Sequence, residues 1–229
     1  METLANGYTL ELAPGTFPLS TDTMVLCDFV RLPKNAKVLD LGSGCGTIGL
    51  LLCAKDPLCA VTGIELDEQA HRAALDNILR NNLQSRLYSL CGDLRSMPEP
   101  IQSGSFHCCV SNPPYFSGGE ASRKTPLARR DDCCSPAELF ETAAKALRFG
   151  GDFFLVHKPE RLAELIHQAC AHSLEPKVLR LVRHHPGSQP GMILLQCRKG
   201  AKPGLRLEEM TLFTADGTPT EDHRRIYHN

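Results

Sequence analysis

Lys37-Val-Leu-Asp-Leu-Gly-Ser-Gly-Cys-Gly46 is the stretch on which the fold turns. Its first five residues form a short, mostly apolar run, the pattern of a strand buried on both faces. Glycines at 42, 44 and 46 let the chain turn sharply and approach a ligand with no Cβ in the way. Ile48 to Ala54 continues as a helix, whose first N–H groups have no partner within the helix.

Outward from this unit the alternation repeats. Ala60 to Ile64 reads as a strand, Asp67 to Leu79 as a helix with Ala70, Ala73, Ala74 and Ile78 on one face, and Arg86 to Cys91 as a strand. Phe106 to Val110 is a strand running into Asn112-Pro-Pro-Tyr115. Ser135-Pro-Ala-Glu138 is a capping box that opens a helix expected to end at Gly150-Gly151. Asp152 to Val156 is a strand, and Pro159 to Ala171 a helix with Leu162, Leu165, Ile166 and Ala169 inward. Val178–Val182 and Met192–Cys197 read as a closing antiparallel pair. Upstream, Tyr8 to Leu12 alternates like a strand, and Ser20-Thr-Asp-Thr offers caps for a helix from Met24 that Pro33 stops. The fold class is therefore α/β, Rossmann-like and doubly wound. It has a mostly parallel sheet, helices on both faces and an antiparallel C-terminal strand pair. The chain reads as a single domain over 1–229, with an N-terminal segment (1–35), a core (36–200) and a C-terminal extension (201–229).

Composition bounds the function. Of 229 residues, 42% are hydrophobic and 22% charged, which rules out a disordered or collagen-like chain. No apolar run approaches the ~18 residues of a membrane span, and the first residues lack a basic then apolar leader, so a cytoplasmic protein without membrane contact is expected. Eleven cysteines, an odd count with no C-x-x-C, read as reduced small apolar side chains; no metal site is expected. A monomer is the expected state. Net charge is −1, but it is unevenly spread: −5 over residues 1–120, +7 over 121–206 and −3 over 207–229. A basic segment inside a neutral chain can present a positive face to nucleic acid, or be an ordinary solvated surface.

Three readings of the glycine loop compete. Gly44-Cys-Gly-Thr-Ile-Gly49 satisfies the dinucleotide fingerprint G-x-G-x-x-G. A glycine turn with no ligand satisfies it too. Asp40, just before the glycines, would repel a pyrophosphate and attract an amino-acid ammonium. Glu65 closes the next strand, placed to take both hydroxyls of a ribose, and Asp93, after the third, can reach a nucleobase amino group. Asp-Leu-Gly-Ser-Gly-Cys-Gly resembles motif I of class I S-adenosylmethionine-dependent methyltransferases. That resemblance implies S-adenosyl-L-methionine as cofactor, its methionine end wrapped by Asp40, Gly42, Ser43, Gly44 and Gly46. Its ribose falls to Glu65 and its adenine faces Asp93, and Leu66, Leu94 and Asn112 also fall within the cofactor site.

Ser111-Asn-Pro-Pro-Tyr115 is the most specific signal. Two prolines fix the backbone direction and remove two donors, leaving carbonyls as acceptors. Asn112 adds a side-chain carbonyl and Tyr115 an aromatic face. Together they form a receptor for a planar amide or an aromatic amine. Bonds from an adenine amine to the Asn112 side chain and the Pro113 carbonyl favour a pyramidal nitrogen whose lone pair can meet a methyl group. Catalysis by Asn112, Pro113, Pro114 and Tyr115 then rests on positioning and dipoles. The motif resembles that of amino-methyltransferases acting on adenine N6 or on the glutamine amide of release factors.

The flanks narrow the choice. Phe17 to Val30, Asn112 to Phe116, Ala128-Arg-Arg-Asp131 and Leu155 to Leu162 resemble the bacterial tRNA1(Val) adenine-N6 methyltransferase family over nearly the whole chain. The resemblance implies methylation of the adenosine 3′ of the anticodon, tRNA as partner, and a helix begun by Ser20 and Asp22 that covers the cofactor with Phe17 beside it. It also implies a loop, Ser117 to Arg130, closing over RNA phosphates through Arg123, Lys124, Arg129 and Arg130; a solvated basic loop is the alternative. Asp131, where the family favours glutamate, departs from the pattern. The release-factor enzymes carry a helical recognition domain before the core, for which residues ahead of Gly42 leave no room. A domain that binds S-adenosylmethionine and RNA without turnover is a further alternative, which an intact Asn112-Pro-Pro-Tyr115 argues against. His184 and His185, before Pro186-Gly187, read as a surface turn.

Overall fold

The structure is a computed structural model that describes residues 2–4, 7–13, 19–114 and 134–227. Two short strands, β1 (Glu2–Thr3) and β2 (Thr9–Leu10), pair antiparallel at the start. α1 (Thr21–Phe29) begins at Ser20, whose hydroxyl accepts from the Thr23 N–H, and ends three residues short of the expected Leu32. Then come β3 (Lys37–Leu41), α2 (Thr47–Lys55), β4 (Ala60–Glu65), α3 (Glu68–Arg80), capped by Asp67, and β5 (Leu87–Cys91). β6 (Phe106–Ser111) precedes α4 (Pro136–Ala146), where Ser135 and Glu138 form the expected capping box. β7 (Leu147–His157), α5 (Leu162–Ala171), β8 (Leu174–Arg183), β9 (Met192–Lys199), β10 (Arg206–Thr211) and α6 (Glu221–Tyr227) complete the chain.

Two expectations need correction. The helix opened by the capping box stops at Ala146, and Gly150-Gly151 lie inside β7. Leu147 is buried as the first residue of that strand and pairs with Phe106, so pairing and burial inside the sheet override the punctuation of a double glycine. The C-terminal extension also contributes a strand: β10 pairs parallel with β8 from Arg206↔Val178 to Thr211↔Arg183.

The eight-stranded sheet runs β10-β8-β9-β7-β6-β3-β4-β5, and β9 alone is reversed, antiparallel to both β7 and β8. Alternate residues feed two cores, as the two-residue period of a strand requires. Val38, Val61, Cys108, Val110 and Phe154 pack beneath α1, α2, α3 and α6. Leu39, Leu41, Cys109, Phe153 and Leu155 pack beneath α4 and α5. Adjacent Cys108 and Cys109 thus serve opposite cores, and seven of the ten described cysteines are buried free thiols. Among the described residues no helix is long and apolar enough to cross a membrane.

Side-chain amides fasten the N-terminal segment. Asn77 of α3 accepts from the Glu11 N–H (2.8 Å) and donates to the Glu11 and Cys45 carbonyls. Asn81, one turn on, brackets Thr9 in the same way. The opposite flank is held by charge. Arg225 of α6 donates to both oxygens of Asp28 (3.0 and 3.1 Å), while Arg180 of β8 lies 3.6 Å from Asp28 and 2.7 Å from Glu208 of β10.

Candidate active site

All the parallel strands deliver their carboxyl ends to one side of the sheet, and the motifs meet there. β3 leads into the glycine loop. Gly42 and Gly44 both have positive φ, 79° and 54°, and a Cβ on either would meet nothing within 4 Å, so the loop stands open on its outer side. The loop is fixed from behind: the Gly42 and Ser43 N–H groups donate to the Ile64 carbonyl (3.0 Å each), and Gly44 N–H donates to Glu65 Oε2 (2.7 Å). The other Glu65 oxygen accepts from the Asp67 N–H (2.8 Å). Each carboxylate oxygen keeps a second lone pair for hydroxyl donors.

Asp40 is the anomaly in this loop. It is 1% exposed, and neither carboxylate oxygen has a hydrogen-bond partner. Burial, reinforced by the charge of Glu65, pushes its carboxyl up to about 8. A buried, unpartnered carboxylate is costly unless something cationic completes it. The Ser43 hydroxyl beside it is also buried without a partner, 2.5 Å from where a Cβ on Gly63 would sit.

The acceptor motif lies on the neighbouring strand. Ser111 Oγ donates to the Leu41 carbonyl (2.7 Å), tying the end of β6 to the end of β3. Asn112 follows, half-buried, with Pro113 buried and Pro114 half-buried. The Asn112 amide Nδ2 donates to Thr23 Oγ1 of α1 at 2.9 Å, and that hydroxyl is bonded in turn to Ser20 Oγ at 3.2 Å. The amide plane is thereby fixed with Oδ1 as its remaining acceptor. Thr23 was not singled out in the sequence. The cap pattern Ser20-x-x-Thr23 marks a helix start, but nothing local says that its fourth residue meets a side chain 89 positions away.

The structure thus brings Asp40, Gly42, Ser43, Gly44, Gly46, Glu65, Asn112, Pro113, Pro114 and, through α1, Ser20 and Asp22 to one rim. α1 lies against β7, and burial raises the Asp22 carboxyl while the charge of Lys158, just past the end of β7, opposes it. Leu66 is 49% exposed, an apolar face next to Glu65. Asp93 lies two residues past the end of β5, but Arg95 grips both of its oxygens and holds its carboxyl below the usual range. Leu94 packs into the core under α4. Tyr115, Phe17, Asp131 and the cations Arg123, Lys124, Arg129 and Arg130 lie outside the described residues.

Known proteins resemble this arrangement. The family model described as methyltransferase small domain matches residues 18–172. A tRNA1(Val) (adenine(37)-N6)-methyltransferase of Bacteroides fragilis is 30% identical over 181 residues, covering 77% of this chain and 75% of its own. One from Aeromonas hydrophila is 27% identical over 211 residues, covering 91% and 87%. In fold, a predicted O-methyltransferase from Agrobacterium tumefaciens superposes with a TM-score of 0.75 at 19% identity over 90% of this chain and 95% of its own. A geranyl diphosphate C-methyltransferase from Streptomyces coelicolor, solved with S-adenosyl-L-homocysteine, gives 0.59 at 11% identity over 77% and 79%.

Proposed function

The chain belongs to the methyltransferase small domain family of S-adenosylmethionine-dependent enzymes, and from that premise we propose that it methylates N6 of an adenine in tRNA, the adenosine 3′ of the anticodon in tRNA1(Val). The observation that carries this reading is the Asn112 amide, pinned through Nδ2 on Thr23 at the carboxyl end of β6, one strand from the glycine loop.

S-adenosylmethionine supplies the transferable methyl on a sulfonium. The residues present fit it, because Asp40 has two buried oxygens that accept nothing from the protein and the loop beside it is open at Gly42 and Gly44. Asp40 answers an ammonium, the second lone pairs of Glu65 answer ribose hydroxyls, and exposed Leu66 offers an adenine a face. Asp93 serves the same base only if Arg95 yields. On the acceptor side, Asn112 Oδ1 and the Pro113 carbonyl take the two N–H groups of the adenine amine and draw its lone pair out of the ring. With the nitrogen so held, a methyl donor bound at the loop would lose its sulfur leaving group as the acceptor nitrogen takes the methyl, and the nitrogen's extra proton would pass to water without help from a protein base. On sequence grounds we assign stacking of the extruded base to Tyr115. Asn112 therefore acts by position and dipole, and needs no general base. For the RNA backbone we assign Arg123, Lys124, Arg129 and Arg130 on sequence grounds. The cytoplasm is the compartment this substrate implies.

The test is incubation with labelled S-adenosylmethionine and, in parallel, tRNA, rRNA, DNA and release factor, followed by mass spectrometry of the labelled product. N6-methyladenosine 3′ of the anticodon supports the reading. Methylglutamine in release factor replaces the substrate, and cofactor binding without transfer to any acceptor leaves a binding module.

A further inference from the structure

The same rim carries a continuous row of rings that this chemistry does not use. His184 and His185 lie 4.8 Å apart between centroids, and His184 stacks on Phe213 at 4.7 Å with planes 26° apart. Phe213 meets His223 at 4.8 Å, and His223 stacks on Tyr227 at 4.4 Å. The rings come from the end of β8, the turn after β10, and α6. Tyr227 is hydrogen-bonded to Thr21 Oγ1 at 2.8 Å, so the row's inner end abuts the start of α1, whose Thr23 holds Asn112. Its outer end, His184 and His185, is exposed.

We propose that this row is a stacking surface for unpaired RNA bases beside the target adenine; the proposal rests on the tRNA reading above. Three observations support it. First, position: β8 runs parallel to β6 and ends on the same side, three strands away, about 14 Å at the usual strand spacing, a reach of a few nucleotides. Second, composition: a patch serving only to seat α6 would be aliphatic and covered, whereas here three of five rings are imidazoles and the outer pair faces solvent. Third, rigidity: Phe213 N–H donates to the His184 carbonyl (2.9 Å), the His185 ring Nδ1 lies 3.2 Å from the Thr214 carbonyl, and the His184 Nδ1 and His185 Nε2 ring nitrogens lie 3.2 Å apart. The outer rings are thus set before any ligand arrives, which reduces the ordering loss on binding.

Two of the three arginines nearby are paired: Arg183 is matched by Glu209, and Arg225 by Asp28 and Asp222, while exposed Arg224, beside His223, donates to the Pro219 carbonyl at 2.8 Å. Attraction there comes from ring faces, the mode by which single strands are held without reading sequence.

The experiment measures affinity of the full chain for an unmodified tRNA1(Val) transcript across a salt series, with the His184→Ala/His185→Ala and His184→Phe/His185→Phe variants. The alanine pair should weaken binding about 5- to 100-fold, the range for losing a stacked base, with an unchanged slope of log affinity against log salt. The phenylalanine pair should return binding toward wild type. Unchanged affinity in the alanine pair overturns the proposal. A flattened salt slope, or no recovery with phenylalanine, overturns it in favour of a charge contact. If wild type itself binds no tRNA, the functional reading falls with it; wild-type methylation beside an unaffected alanine pair removes this inference alone.

Discussion

Two aspartates within thirteen residues of sequence behave in opposite ways. At Asp28 burial works to raise the carboxyl, but Arg225 on both oxygens, with Lys55 and Arg31, overcomes it, and the net displacement is downward. At Asp40 burial and the neighbouring Glu65 act in the same direction, no partner answers, and the carboxyl moves up to about 8. The flank of β8, β10 and α6 is finished by its own charges. The rim of the glycine loop is complete only with a ligand cation. Buried polar groups in proteins are almost always satisfied, so an exception of this kind marks where a ligand belongs.

The largest effect is expected at the acceptor end of that rim. Asn112→Ala should lower the methylation rate by on the order of 100-fold or more with cofactor affinity nearly unchanged, since the amide orients the acceptor and not the cofactor. Single-turnover rates beside cofactor titrations check this; near-normal turnover removes the motif from the chemistry.

The pair of aspartates supplies the next two tests. Asp40→Asn should weaken S-adenosylmethionine binding about 10- to 100-fold, the loss of a charged hydrogen-bonding partner, and calorimetry reads it directly. It should also change the pH dependence. Because the folded-state value is raised, the cofactor-free protein keeps a proton that the unfolded chain has lost between about pH 4 and 8. Stability is therefore full below that window and declines as pH rises through it. Asparagine abolishes the decline, and a decline that persists in Asp40→Asn would place its cause elsewhere. Asp28→Asn should instead lower stability by about 1 to 3 kcal/mol at neutral pH and leave cofactor affinity alone. With its value depressed, Asp28 contributes stability above its unfolded pKa that is lost as pH falls through the folded one, so this variant is less sensitive to acid. Cofactor affinity that tracks Asp28 and ignores Asp40 would erase the contrast.

Thr23→Val should give the smallest effect. The valine fills the same space but frees the Asn112 amide to rotate. A single neutral hydrogen bond supports about a 2- to 10-fold drop in rate, with cofactor affinity unchanged. Thr23→Ser should restore the rate, which a purely structural role would not predict.

The sequence is most legible where the physics is local. The strand before Gly42, the Asp67 and Ser135 caps and the inward face of α3 all declare themselves within a few residues. β10 does not: of its six residues only Met210 is buried, so an edge strand covered on little of its surface shows no alternation to read. The end of α4 is misread because a glycine pair punctuates a strand as readily as a helix. In the site, Asp40 and Asn112 are visible as motif members, but the orphaned state of one and the tether of the other depend on tertiary neighbours. Thr23 lies 89 residues from Asn112, and Asp28 lies 197 from Arg225; no window spans either pair.

Asn77 has a mechanical consequence. One amide plane, entirely buried in α3, grips Glu11 on one side and the Cys45 carbonyl of the glycine loop on the other. Tension applied at residue 7 would meet the Asn81 bracket on Thr9 first and the Asn77 bracket on Glu11 next, with Arg80 sharing the load at Glu11, and only the second amide passes it on to the glycine loop. The asparagine is a lever arm, and the grip on the methionine end of a ligand is what it would move.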